Sequence, residues 1–157
     1  MAGKYFPKKY SMKKIKEFSK NLSPEIIIQL YKLGIFLMAE NRFDKDLYFV
    51  EPEKRALLPI GNFKYPKSLI RFCKKNPFSV SVNKSFKEVI FNCATVNRTE
   101  TWINETIEEK FCKIHEMGYA HSIECWNNYK LVGGIYGVAI GSCFFAESKF
   151  FFTNERP

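Results

Sequence analysis

The sequence predicts an α+β fold, and three observations carry that reading. Segments near 23–34, 66–75, 83–93 and 104–118 place apolar residues at helical spacing behind capping residues. The stretch His121–Glu147 reads as strands joined by turn residues. Apolar residues make up 46% of the 157-residue chain, with 16 Phe among them, which is enough for a real core and excludes disorder as the default.

The first clear helix opens at Leu22-Ser23-Pro24, with Ser23 as N-cap, Pro24 at the first helical position and Glu25 in the first turn. Ile27, Leu30 and Tyr31 follow on one stripe, and Gly34 suits the left-handed residue after a helix end. Residues 1–20 are Lys-rich and weakly periodic, and read as a mobile or partly helical lead-in. Tyr48-Phe49-Val50 predicts a short strand, with a turn at Pro52 and another apolar run behind it.

Lys64–Pro77 is the strongest nucleic-acid feature. After Pro66, the spacing of Lys67, Arg71, Lys74 and Lys75 puts four cations on one helical stripe, with Leu69, Ile70 and Phe72 turned round the side to pack inward. Such a stripe matches a phosphate backbone and adds affinity without reading sequence, although a solvated helix face has the same pattern. Ser79–Val82 follows as a short strand, and Asn83 is the predicted N-cap of a helix that buries Phe86, Val89, Ile90 and Cys93. Asn104 is the predicted cap of the next helix, which buries Ile107, Phe111, Ile114 and Met117 and ends at Gly118.

In His121–Glu147, Ile123 and Cys125 alternate with Ser122 and Glu124, and Asn127-Asn128 supplies hairpin chemistry. Four glycines (133, 134, 137 and 141) then fall within nine residues. Inside a strand that density points either to a bulge or to a place where something lies directly on the backbone.

The net charge is +9 and unevenly spread. Residues 1–20 hold seven Lys against one Glu (+6), residues 64–87 seven Lys/Arg and no acid (+7), and residues 88–126 three Lys/Arg against seven acids (−4). That division fits a polyanionic partner together with a cationic one. Five cysteines (73, 93, 112, 125 and 143) with no CxxC pair, beside two histidines, argue against a disulfide framework or zinc site and for reduced thiols in a cytoplasm. No run of 18 apolar residues suggests a membrane span, and no apolar segment follows the basic N-terminus as a secretory signal would.

The ordered run HSIE-x-W, LVGGIYGVAIG and FxES, together with LSPEIIIQLYKLGIF and Thr101-Trp102-Ile103-Asn104, resembles the leucyl/phenylalanyl-tRNA–protein transferases. The resemblance implies transfer of Leu or Phe from charged tRNA to proteins that begin with Arg or Lys, which tags them for N-end rule degradation. It implies a cytoplasmic, monomeric enzyme without a cofactor or metal. It also implies a two-part architecture: a basic lead-in over 1–20, an N-terminal part over 21–77 and an acetyltransferase-like (GNAT-type) mixed sheet over 78–157. Residue by residue, it implies Glu147 as the catalytic carboxylate, and Met38, Trp102, Ile135 and Phe144 as walls of the amino-acid pocket. Lys67, Arg71, Lys74 and Lys75 match its tRNA contacts, and Arg55 matches its Pro-x-x-Arg arginine, which surface packing would also explain. Glu124 and His121 are expected to be structural.

The resemblance runs from Leu22 to about Phe150. There Ala146 stands for a glycine, Lys149 for an apolar pocket residue and Phe151 for a serine, and the Asp-x-Gln region that follows in the family has no counterpart. The expectation is therefore a C-terminally incomplete domain, either an aminoacyltransferase or a non-catalytic remnant that binds tRNA at most.

Overall fold

The computed structural model describes residues 10–15 (backbone only), 22–75 and 78–152. Two antiparallel sheets and four helices make up an α+β fold. The first sheet has the order β1-β3-β2, from strands Tyr10–Ile15, Leu47–Pro52 and Phe36–Ala39. The second is antiparallel throughout, in the order β4-β5-β6-β7, from Phe78–Val82, Ala120–Asn127, Lys130–Ile140 and Cys143–Phe151.

The caps fall where side-chain chemistry requires them. Helix α1, Pro24–Lys32, is capped by Ser23, whose Oγ accepts from Ile26 N at 3.4 Å, and it closes at Gly34 with φ +80°. Helix α4, Glu105–Glu116, is capped by Asn104, whose Oδ1 accepts from Ile107 N at 2.8 Å, and Gly118 closes it with φ +80°. Helix α3, Phe86–Thr95, starts at Ser85, not Asn83. Asn83 instead takes φ +60° and pins the β4–α3 turn to β5 by bonding the backbone of Ser122 in both directions.

One core joins the parts: Ile27 and Tyr31 of α1, Leu37 of β2, Val89 and Ile90 of α3, Phe111 of α4, and Tyr136 and Val138 of β6. Helices α3 and α4 cover one face of the four-stranded sheet, so the alternation of β5–β7 sends Ser122, Glu124, Tyr136, Ser148 and Phe150 inward. The other face carries Val80, Val82, Ile123 and Phe151, exposed by 70%, 61%, 40% and 40%.

Several expectations need correction. Within the basic lead-in, Tyr10–Ile15 form an edge strand on β3, where the free ladder of β3 supplies partners and a Lys-rich sequence is well tolerated; the rest of 1–21, like 153–157, lies outside the described residues. Helix α2, Lys67–Lys75, buries no residue: Leu69 and Ile70 are each 44% exposed, and Phe72 stacks on Phe78 at 6.1 Å. The apolar run behind Pro52 is likewise on the surface, with Leu57 85% and Leu58 68% exposed. Met117 also lies outside the core, at the exposed C-cap of α4.

Candidate functional site

The strand that pairs with the glycine-rich β6 contains a bulge, and Glu147 of β7 occupies it. In the β6–β7 ladder Gly137 pairs with Ala146 and Tyr136 with Ser148, which leaves Glu147 as the extra residue. A bulge releases a side chain from strict alternation, and here the Glu147 carboxyl is directed to Tyr31, Tyr136 and Arg55. Burial pushes the carboxyl up to about 7, and the Tyr31 hydroxyl and Arg55 guanidinium pull back only part of the way. The hydroxyls of Tyr31 and Tyr136 are buried without a well-formed hydrogen bond, and burial first, then the nearby Glu147 charge, holds both well above the ordinary tyrosine range. Tyr31 and Tyr136 both pack edge-on against Phe111, and Phe145 closes on Tyr31 at 5.5 Å.

Arg55 comes to this site from an exposed segment. Its Nη2 donates to the Gly34 carbonyl, and its guanidinium lies 5.2 Å from the Phe36 ring and 5.6 Å from the Phe145 ring. Surface packing therefore describes the contacts of Arg55 only in part, because the same position adds a cation beside Glu147.

Gly137 is the point of closest approach within β6 and β7. A Cβ there would meet the Phe145 carbonyl oxygen and the Phe144 ring, the latter at 2.6 Å. Phe144 thus lies over the strand backbone on the open face, on the same side as Ile135. Ile135 lines a groove of ≈ 430 Å³ on that face with Val80, Ile123, Cys125, Phe151 and Lys149. Met38, half-buried, sits on β2 on the side opposite Leu37 and Ala39. Trp102 precedes α4, packs against the core, and accepts from Ala39 N through its carbonyl at 3.0 Å. The four expected pocket residues thus fall in two places, Ile135 and Phe144 on the open face of the four-stranded sheet, and Met38 on β2 with Trp102 bonded to the neighbouring Ala39.

Glu124 belongs to the frame of the sheet. It is wholly buried, and accepts from Ser81 Oγ and Ser122 Oγ at 2.5 Å each and from Ser85 N at 3.3 Å. Burial opposes its charge, but these donors and the Lys84 amide outweigh it and hold the carboxyl below its usual range. Trp126 Nε1 donates to Ser81 Oγ at 2.8 Å, and His121 Nδ1 meets Asn83 Nδ2 at 3.0 Å. The HSIE-x-W motif is a polar clasp between β4 and β5.

Lys67, Arg71, Lys74 and Lys75 are all exposed on α2, as the spacing predicts. Among the described residues no group of three His, Cys, Asp or Glu could hold a metal, and no helix is long and apolar enough to cross a membrane.

Two family models match the chain. "Leucyl/phenylalanyl-tRNA protein transferase" covers residues 57–156, and its N-terminal domain model covers residues 20–53. The chain belongs to this family. It is similar to leucyl/phenylalanyl-tRNA--protein transferases of Rhizorhabdus wittichii, 43% identical over 133 residues, and of Rhodopseudomonas palustris, 43% over 134 residues. That of Zymomonas mobilis is 42% identical over 131 residues. These alignments take in 83%, 84% and 82% of this chain but 54%, 58% and 49% of the relatives, so the chain spans about half their length. Within this transferase-family chain, the grouping of Tyr31, Tyr136 and Arg55 about Glu147 was not legible from spacing. A tyrosine in an apolar helix stripe is the one signal, since a buried hydroxyl needs a polar neighbour.

Proposed function

We propose that the chain is an aminoacyl-tRNA–protein transferase moving Leu or Phe to acceptor proteins that begin with Arg or Lys, as a cytoplasmic step in N-end rule degradation. The reading rests on family membership and on one observation above all, the bulged Glu147 carboxyl beside Tyr31, Tyr136 and Arg55. An acceptor α-amine must lose its proton before it attacks the ester carbonyl. A carboxyl that titrates near 7 is suited to hold the amine and take that proton. The new amide C–N bond then forms as the ester C–O bond breaks, and the leaving ribose oxygen takes up a proton. Because the ester is already activated, the protein contributes mainly position and a charged environment.

In this proposal residues 21–77 present tRNA contacts through Lys67, Arg71, Lys74 and Lys75, while 78–157 carry the transfer site on a GNAT-like core. Met38, Trp102, Ile135 and Phe144 receive the apolar end of the aminoacyl group. The lysines at 67 and 75 supply charge without the forked geometry of arginine, so their contact is less oriented. The chain acts as a monomer and needs no cofactor.

The test is transfer of radiolabelled Leu from charged tRNA to a peptide beginning with Arg, with tRNA binding measured in parallel. Product formation that falls at least about 100-fold in Glu147→Gln, with tRNA binding unchanged, supports the reading. Retained tRNA binding without product from the unaltered chain overturns it in favour of a non-catalytic tRNA-binding remnant.

A further inference from the structure

Two cysteines face each other away from the Glu147 site. Cys125 of β5 projects from the open face of the four-stranded sheet and lines the groove there with Val80, its partner across the β4–β5 ladder. Phe78 lies two residues before Val80 on β4 and so shares that face. The Phe72 ring of α2 stacks on Phe78 at 6.1 Å with an interplanar angle of 20°, which seats α2 at the β4–β5 corner of the open face. Leu69, Phe72 and Cys73 form the side of α2 turned away from Lys67, Arg71, Lys74 and Lys75. The residue next to the stacked ring therefore brings its thiol toward the sheet. Burial pushes the Cys125 thiol up, and the Cys73 sulfur is near enough to push it further. Cys73 is exposed and Cys125 half-buried, so both are open to a small oxidant.

We propose that Cys73 and Cys125 are a redox-sensitive pair whose disulfide clasps the basic helix α2 to the sheet. The co-reactant is a small disulfide, glutathione disulfide. The Cys73 thiolate, on the more exposed sulfur, attacks it to form a mixed disulfide and releases one glutathione thiolate. The Cys125 thiolate then attacks the Cys73 sulfur, and the second glutathione leaves as the new S–S bond closes. Two protein thiols give up two protons and two electrons, and one glutathione disulfide becomes two glutathiones. A disulfide tolerates little error in the separation and direction of its two Cβ atoms. Because α2 buries no residue, it can shift by what the bond demands without opening the core. Such a bond is reversible and persists only in oxidising surroundings. The cations point away from it and stay exposed, but the helix that carries them is held. In the proposed function this helix contacts tRNA, so the redox state tunes that contact; this consequence rests on that reading, and the clasp itself does not.

The full chain is equilibrated in glutathione buffers of rising disulfide content, blocked with iodoacetamide and mapped by peptide mass spectrometry without reduction. Peptides joined through Cys73 and Cys125, separated by dithiothreitol and absent from Cys73→Ser, are expected. Trypsin cleavage of the folded chain within residues 67–75 should slow about tenfold on oxidation, and stay fast in oxidised Cys73→Ser, which alters an exposed side chain. Glutathione that remains on Cys73, a bond from Cys73 to Cys143 or to a second chain, or no bond at any buffer ratio overturns the pair. A Cys73–Cys125 bond that leaves trypsin cleavage unchanged overturns the clasp on α2. The oxidised chain should also bind tRNA about threefold more tightly, because its helix is ordered in advance. Equal affinities in the two states overturn the redox tuning, whereas no tRNA binding in either state refutes the tRNA reading of α2 and leaves the clasp standing.

Discussion

The Glu147 carboxyl on β7 meets the Tyr31 hydroxyl on α1 across the seam between the N-terminal helix and the four-stranded sheet. Burial dominates there: Glu147 titrates at about 7, against the ordinary 4.5. Between those values the folded chain keeps the proton and the unfolded chain has lost it. The stabilising contribution is thus complete below about 4.5 and disappears as pH rises through about 7. Glu147→Gln should flatten this dependence and gain up to about 3 kcal/mol above pH 8, as read by urea unfolding at pH 5 and pH 8.5. Equal pH slopes for the two proteins would refute the placement of this carboxyl.

Glu124 should behave in the opposite sense. Its carboxyl is held below 4.5, so its contribution is present above that value and is lost as pH falls through the lower folded one. Glu124→Ala strands the hydroxyls of Ser81 and Ser122 and the Ser85 amide. A loss of roughly 3 kcal/mol is expected in denaturant unfolding at pH 7, against about 1 kcal/mol for Ser81→Ala.

Helix α2 should be separable from stability. It buries no residue, so Lys67→Ala with Lys74→Ala should leave the urea midpoint unchanged. The same pair should flatten the salt dependence of tRNA binding by about 0.7–0.9 in log–log slope for each cation that contacts phosphate. An unchanged slope between 50 and 200 mM salt would remove these residues from the interface.

Glycines 137 and 61 make a contrasting pair. A Cβ on Gly137 would run into the Phe145 carbonyl oxygen, and backbone cannot swing aside as a side chain can. Gly137→Ala should cost about 1–3 kcal/mol or more by thermal unfolding, whereas Gly61→Ala, with nothing within 4 Å, should be near neutral.

Cys93 should resist thiol reagents until the chain unfolds, because burial pushes its thiol up to about 12. Cys73 and Cys143 are exposed and should react first when alkylation is followed by peptide mass spectrometry.

Local chemistry announced itself in the sequence. Ser23, Asn104, Gly34 and Gly118 mark helix ends because each satisfies or permits a specific backbone state, and the structure places all four accordingly. The crowded glycines pointed to a bulge, and the ladder beside Gly137 does shift register, with the extra residue on β7. Tertiary choices were less visible. Leu69 and Ile70 have the spacing of a buried stripe, but spacing does not provide a surface to pack on, and both stay 44% exposed. The neighbours of Glu147 come from α1, the segment after β3 and β6, and no periodicity within one segment encodes such a meeting.

The bulge gives Glu147 an unusual standing in the strand. Ala146 already faces Gly137 and Ser148 already faces Tyr136, so the pleat on either side is in phase without it. Excising Glu147 outright would close a regular hairpin with every other β7 side chain on its present face. The hairpin's architecture makes no demand for this residue. What keeps a carboxylate at that position has to be sought in what the carboxylate does.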